Sequence, residues 1–433
     1  MSIAGEHSLK RISRDYLVAL SGRGTSAFLL FLVSIVLARA VSQENFGTFY
    51  AFLAFVGLFA ALMDLGMSQS FVRFGSLLHH RNEKDQLADM LQATLKAKVI
   101  LGIAIGTIGL AVLALLPIGN QLSDSSLLLL VPVGGFAMSF FYMIQGILQV
   151  QLQFKNVSFL LVSRGMMFLA AVAGLVFLSV VDATSVSALF VLTTVAAVLF
   201  FSRNVARLSY SGSAASGGGR KVAHLIRFGK WLAISTTCFG IFEQLPIAVS
   251  SGLYGSLDTA ELSAAIVVVG TLAIFAWPLQ TIVMPDLSRI ASREDLREYL
   301  RAAYRLVLPL AIAILVSFIM LSEIVMTTLY GDNFGRSAKI LQILLPSFVI
   351  SLIAIPLTST IVYVFNKPAI VAGTNLAQLT ILVCAIAAMT GLGNVITLAA
   401  VYAIVRAGGD IAMSLVAATH MTKWPIGEAR PGR

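Results

Sequence analysis

A small set of arginines, amides and carboxylates interrupts stretches of this 433-residue chain that are otherwise apolar, and these are the residues that could do chemistry. Arg23 stands in Ser21-Gly-Arg-Gly24, Arg164 in Ser163-Arg-Gly165, and Arg73 closes Ser68-Gln-Ser-Phe-Val-Arg73. With Lys96 and Lys98 they place several cations at a similar depth from one end of their stretches. A guanidinium presents a planar fork of donors that matches phosphate oxygens bidentately, so Arg23, Arg164 and Arg73 are candidates for holding a pyrophosphate. The alternative is snorkelling of long side chains to head groups. The glycines at 22 and 24 remove side-chain bulk and permit close approach of another backbone.

Gln145 and Gln149 share one helical face at a spacing of four, with Tyr142 beside them. Such amides either hydrogen-bond the hydroxyls of a sugar or join two helices. Glu243, followed by Gln244, lies near the middle of its stretch. A carboxylate there is costly when charged, which makes Glu243 the candidate for coupling to H⁺ or Na⁺, with a hydrogen bond to a neighbouring helix as the other reading. Asp64 is a candidate partner for one of the first-half cations. Arg406 and Asp410, four apart, form a candidate structural or gating pair.

The elements that must position these residues are written in the hydropathy. Apolar residues make up 58% of the chain and charged residues 12%, a balance no soluble domain of this length could solvate. About twelve apolar runs are long enough to cross ~30 Å of hydrocarbon. Their approximate bounds are 16–41, 46–75, 91–117, 126–152, 158–180, 185–203, 230–254, 260–287, 303–328, 338–365, 368–390 and 394–417. Barrel strands would be shorter and alternating, so the spans are helices, each closing its own backbone hydrogen bonds. The expected fold is an all-α integral membrane protein.

Lys and Arg fix the expected orientation. Alternate loops carry Arg81 and Lys84, Lys155, Arg203 and Arg207, Arg289 and Arg293, Lys367 and Lys423, while the opposite loops hold only Arg336. That bias puts both termini in the cytoplasm, and it accounts for the net charge of +10 without nucleic-acid binding. The first apolar run is too long for a cleavable signal peptide, and its arginines suit a retained helix. Cys238 and Cys384 fall inside spans and read as packing residues, with no disulfide or metal implied.

The Gly- and Ser-rich segment 209–219 divides the chain into an amino-terminal half, 1–208, and a carboxy-terminal half, 220–433, each with about six spans. An even number of spans makes the halves parallel repeats. Ser292-Arg-Glu-Asp295 starts a helix with a capping-box pattern, and Arg293, Arg297, Arg301 and Arg305 then form a basic ridge suited to anionic head groups of the inner leaflet. That ridge is either an ordinary positive-inside loop or an entry surface for an anionic lipid. Pro278, Pro346 and Pro356 can kink their spans. There is no P-loop, HExxH, paired-Cys or Ser-His-Asp pattern, and the outer loops are too short for a membrane glycosyltransferase, polymerase or ligase.

Several segments then resemble, in order, those of the polysaccharide exporters and O-antigen flippases of the multidrug/oligosaccharidyl-lipid/polysaccharide (MOP) superfamily. Leu37–Tyr50 is similar to that family's turn between helices one and two, and Asp64–Arg73 to its second-helix end. Phe228–Trp231 resembles its entry to helix seven, Pro285–Arg289 its end of helix eight, and Tyr330–Phe334 its outer turn after helix nine. Glu243 stands where that family often has Asp. The resemblance implies two six-helix lobes around a V-shaped central cavity, and export of a polyprenyl-pyrophosphate-linked oligosaccharide across the bacterial inner membrane. It implies no cofactor beyond a candidate coupling ion. The expected partners are the lipid-linked glycan, membrane lipids and a glycan polymerase or ligase. The competing readings are a cation-coupled multidrug exporter of the same superfamily, an enzyme acting on lipid-linked sugars, and a scaffold within a glycan-assembly complex.

Overall fold

The structure is a computed structural model that describes residues 3–115, 125–209, 218–276, 287, 290, 292–389, 391 and 393–424, with side chains left undescribed at 3–20, 125, 204–209, 218–229 and 275. Among the described residues there are helices and no strands. They are α1 (Ile3–Ala40), α2 (Gln43–Asp64), α3 (Met67–His80), α4 (Lys84–Leu115), α5 (Ser125–Val150), α6 (Phe154–Phe177), α7 (Ala183–Ser209), α8 (Gly218–Leu253), α9 (Gly255–Leu272), α10 (Arg293–Tyr330), α11 (Gly335–Tyr363), α12 (Pro368–Met389) and α13 (Val395–Lys423). Among the described residues, twelve helical segments are long and apolar enough to cross a membrane. The helices group into two compact units, Met1–Gln244 and Leu245–Arg433, with the division falling inside α8. Most of the expected linker, Pro278 and the segment Pro285–Arg289 apart from Leu287 lie outside the described residues.

Polar caps start the helices where the sequence offers them. Ser42, Ser292 and Asn394 are N-caps whose side-chain oxygens accept from the backbone N–H groups of Asn45 (3.2 Å), Asp295 (3.1 Å) and Thr397 (2.9 Å). The connections that reverse the chain use left-handed residues, including Asn82 before α4 and Gly331 after α10.

The second expected span, 46–75, is not one helix. It breaks after Asp64, where Leu65 (φ 42°) and Gly66 (φ 68°) are both left-handed. Gly66 is required twice over: for its φ, and because a Cβ there would stand 2.4 Å from Ala233 Cα on α8. The Asp64 carboxylate then caps α3, accepting from Ser68 N at 3.3 Å and from the Ser68 hydroxyl. Beyond the break, α3 turns Phe71 and Phe74 onto Leu87, Met90 and Leu91 of α4 and Met143, Ile147 and Val150 of α5.

Burial separates central helices from peripheral ones. In the amino-terminal unit α2 is 67% buried across its apolar window and α4 only 17%, so α4 is left with Ile100, Ile103 and Leu115 on its surface, as a lipid-facing helix would be. The α1–α6 contact rests on Gly22: a Cβ there would lie 2.3 Å from Ser158 Cβ. Gly24 has open space around it, so only one of the two glycines serves close approach.

In the carboxy-terminal unit α11 is the central helix, against α9, α10 and α13. Gln378 of α12 donates to the backbone carbonyl of Arg406 at 3.1 Å, and it can reach α13 because position 409 has no Cβ. The segment 293–305 forms the first turns of α10, which starts at the expected cap and runs unbroken for 38 residues, about 57 Å. Leu296 and Leu300 bury against Val364, Phe365 and Trp424, and Arg293 donates to the Trp424 carbonyl at 3.2 Å. Arg297, Arg301 and Arg305 remain exposed.

Candidate functional site: a polar cavity in the amino-terminal unit

A cavity of about 250 Å³ opens where α2 gives way to α3. Its α2 wall is Gly57, Ala60, Ala61 and Asp64, small residues that leave the space unfilled. Gln69 comes from α3, Tyr142, Gln145 and Gln149 from α5, and Thr236, Thr237 and Gln244 from α8. The break at Leu65–Gly66 makes the opening, and the spacing of four on α5 turns both glutamines into it. The Gln145 and Gln149 amides make no hydrogen bond to another described residue, so the described helices are not joined through them. Gln244 lies over Gly57, where a Cβ would stand 2.7 Å from its Cδ.

Asp64 is the charged residue on this lining, and its charge is met from behind. Lys98 of α4, 1% exposed, donates to Asp64, to the Ser139 hydroxyl at 2.8 Å and to the Ser139 carbonyl at 3.1 Å. All three ammonium protons are thereby used. Lys98, read from the sequence as one of several cations at substrate depth, is therefore committed to Asp64. What the cavity offers a guest is amide and hydroxyl groups. The Thr237 hydroxyl is buried, without a hydrogen-bond partner among the described residues, and Thr236 donates to the Leu232 carbonyl of its own helix at 2.9 Å.

The candidate pyrophosphate residues stand apart from this lining. Arg23 is exposed on α1 and Arg73 is exposed on α3, its guanidinium 5.9 Å from the Phe74 ring centre. Arg164 is 8% exposed among α5, α6 and α7. It donates to Thr194 Oγ1 at 3.3 Å, contacts Met138 Sδ at 3.6 Å, and lies over the rings of Phe141 (4.9 Å) and Phe190 (5.3 Å). Its Nε is buried without a partner among the described residues. Glu243, half-buried on α8, immediately precedes the cavity-lining Gln244 but is not itself on the lining.

In the carboxy-terminal unit Arg406 and Asp410 are linked through a third residue. The Ser351 hydroxyl of α11 accepts from Arg406 Nε at 3.4 Å and donates to Asp410, while Arg406 Nη1 donates to the Tyr402 hydroxyl at 2.8 Å. Sequence reasoning missed a second polar cluster. Glu261, 2% exposed on α9, accepts from Ser337 and lies 3.6 Å from Arg336 Nε, while Nη2 of the same guanidinium is 2.9 Å from Asp258. The signal was available: Arg336 is the lone cation of the expected outer loops, and a lone cation needs an acidic partner. The cavity too had a signal in Asp64, Gly66, Ser68, Gln69 and Ser70, a polar run inside one apolar stretch.

A protein-family model described as polysaccharide biosynthesis protein matches residues 12–291. No curated protein matches the chain. Solved structures match it nearly end to end. An inward-facing multidrug resistance MATE family transporter of the MOP superfamily aligns at a TM-score of 0.68 and 14% identity, covering 92% of this chain and 94% of that one. An outward-facing structure of such a transporter aligns at 0.62 and 14%, covering 95% of each chain. A MOP superfamily transporter from Pyrococcus furiosus, with a binding pocket of reverse polarity, also aligns at 0.62 and 14%, covering 95% of each. At such identities the likeness is one of fold, and the fold is that of MOP superfamily transporters.

Proposed function

Because the chain belongs to the polysaccharide biosynthesis protein family, we propose that it translocates a polyprenyl-pyrophosphate-linked oligosaccharide across the bacterial inner membrane by alternating access. The observation that carries this reading is the cavity of amides and hydroxyls at the α2–α3 break, with its one carboxylate already neutralised. Hydroxyl-rich glycans cannot cross hydrocarbon unsolvated, because each buried polar group left unpaired costs several kcal/mol. A protein that moves them must replace water with groups that both donate and accept, as glutamine, threonine and tyrosine side chains do. The lipid tail can stay in the bilayer while the head group moves.

In this reading Arg23 meets the pyrophosphate, since it is exposed on α1 beside the tight α1–α6 contact at Gly22. Loading shifts the conformational equilibrium only as far as the two states differ in affinity for the head group. Glu243 is the carboxylate proposed for H⁺ or Na⁺ coupling. Both termini are placed in the cytoplasm by the charge bias, and the exported glycan passes to a polymerase or ligase. The chain is read as a transporter and not an enzyme, in line with its fold.

The fold is shared with multidrug transporters, so cation-coupled drug export is the second reading. A cavity for cationic drugs would present a carboxylate without a cation, and Asp64 is held by Lys98.

A deletion strain tests the proposal. Surface polysaccharide should be lost while the complete lipid-linked oligosaccharide accumulates on the cytoplasmic leaflet. Unchanged glycan together with increased drug sensitivity would favour the exporter. An incomplete or unpolymerised intermediate on the outer leaflet would favour an enzyme.

A further inference from the structure

We infer that the cavity at the α2–α3 break is a subsite for a single uncharged sugar residue of the lipid-linked glycan, and that it discriminates against an acidic sugar at that position. The inference rests on the flippase reading and specifies its substrate. Three observations carry it.

The first is size. About 250 Å³ falls below the ~300–1,000 Å³ of pockets for drug-sized ligands and suits one ring rather than an oligosaccharide. The cavity also lies wholly within the amino-terminal unit, so one unit suffices to form it.

The second is the supply of hydrogen bonds. Gln145 and Gln149 of α5 present amides that no other described residue engages, and Gln244 of α8 approaches from another wall. An amide both donates and accepts, which matches a ring hydroxyl or an acetamido group.

The third is charge. Asp64 faces the cavity and Lys98 faces away from it, 1% exposed, with its three donors spent on Asp64 and Ser139. A uronate carboxylate in the cavity would find no available cation on the lining, because Lys98 is already committed to Asp64. A charge that loses its hydration without gaining a partner is strongly disfavoured. A neutral ring incurs no such cost.

The test uses the purified full-length protein and short-chain prenyl pyrophosphates that are bare or carry glucose, N-acetylglucosamine or glucuronic acid, with apparent affinity read from thermal stabilisation. The glucose or N-acetylglucosamine compound should bind about tenfold more tightly than the bare one, the worth of one or two net hydrogen bonds. The glucuronate compound should gain nothing over the bare one. Gln145→Ala and Gln149→Ala should each remove most of the gain while leaving affinity for the bare pyrophosphate unchanged. Equal binding of glucuronate and glucose, a gain that survives both substitutions, or no gain from any sugar would overturn the subsite. The same protein in vesicles, assayed for movement of undecaprenyl-pyrophosphate-N-acetylglucosamine to the far leaflet, separates the two ideas. Sugar-dependent binding without movement would sink the flippase reading and keep the subsite, and movement without sugar-dependent binding would do the reverse.

Discussion

Lys98 of α4 is bonded to Asp64 at the end of α2, and the same carboxylate caps α3 through Ser68. One ion pair thus fixes three helices at the point where the chain breaks to open a cavity. Removing one partner of a buried pair leaves the other charge uncompensated and typically costs ~3–5 kcal/mol, whereas replacing both by neutral groups is often tolerated. Lys98→Met should therefore lower the level and melting temperature of the membrane-inserted protein sharply. Asp64→Asn combined with Lys98→Met should recover most of the loss. Equal levels for the wild type, the single and the double variant in detergent would show that the pair does not hold the break.

Thr237 tests the cost of an unsatisfied hydroxyl. Its hydroxyl is buried without a partner among the described residues, so Thr237→Val removes an unsatisfied group at nearly constant volume. The protein should melt at a higher temperature, by the equivalent of about 1 kcal/mol or more. A lower melting temperature would show that the hydroxyl is paired in the folded protein.

Arg23 and Arg164 are candidates of the same kind on the page of the sequence and differ in their surroundings. Arg164 stacks on Phe141 and Phe190 inside α5–α7, so Arg164→Ala should reduce protein level by losing packing and ring contacts worth ~0.5–2 kcal/mol each. Arg164→Lys keeps the charge and loses the planar stack, and should be destabilised as well. Arg23→Ala, at an exposed position, should leave the level normal while export is abolished. Full export by both alanine variants would remove the pyrophosphate assignment.

The two glycines around Arg23 should separate cleanly. In Gly22→Ala the new Cβ would sit 2.3 Å from Ser158 Cβ and 2.7 Å from Ser158 Cα, so α1 and α6 must move apart at a cost of roughly 1–3 kcal/mol. In Gly24→Ala nothing lies within 4 Å, and the helix gains roughly 0.5–1 kcal/mol in propensity. Thermal melts of the two variants should shift in opposite directions.

The class of fold was legible in the sequence because lipid leaves the backbone few options: a long apolar run without polar partners must close its own hydrogen bonds as a helix. The helices that cap at Ser42, Ser292 and Asn394 begin where a side-chain oxygen can accept the first free N–H groups, which is local chemistry. The face shared by Gln145 and Gln149 was legible for the same reason, since a spacing of four is a property of one helix. Hydropathy averaged over the run 46–75 could not reveal the break at Leu65–Gly66, which depends on Ala233 of a helix about 170 residues away passing too close for a Cβ. Nor could spacing say that Lys98 belongs to Asp64, that Ser351 stands between Arg406 and Asp410, or that Arg336 reaches Glu261. The sequence alone determined which residues are too polar for lipid. Only the tertiary structure decided which of them satisfy one another and which are left facing a cavity, because a buried charge or amide is paired through space, by whichever helix packs against it.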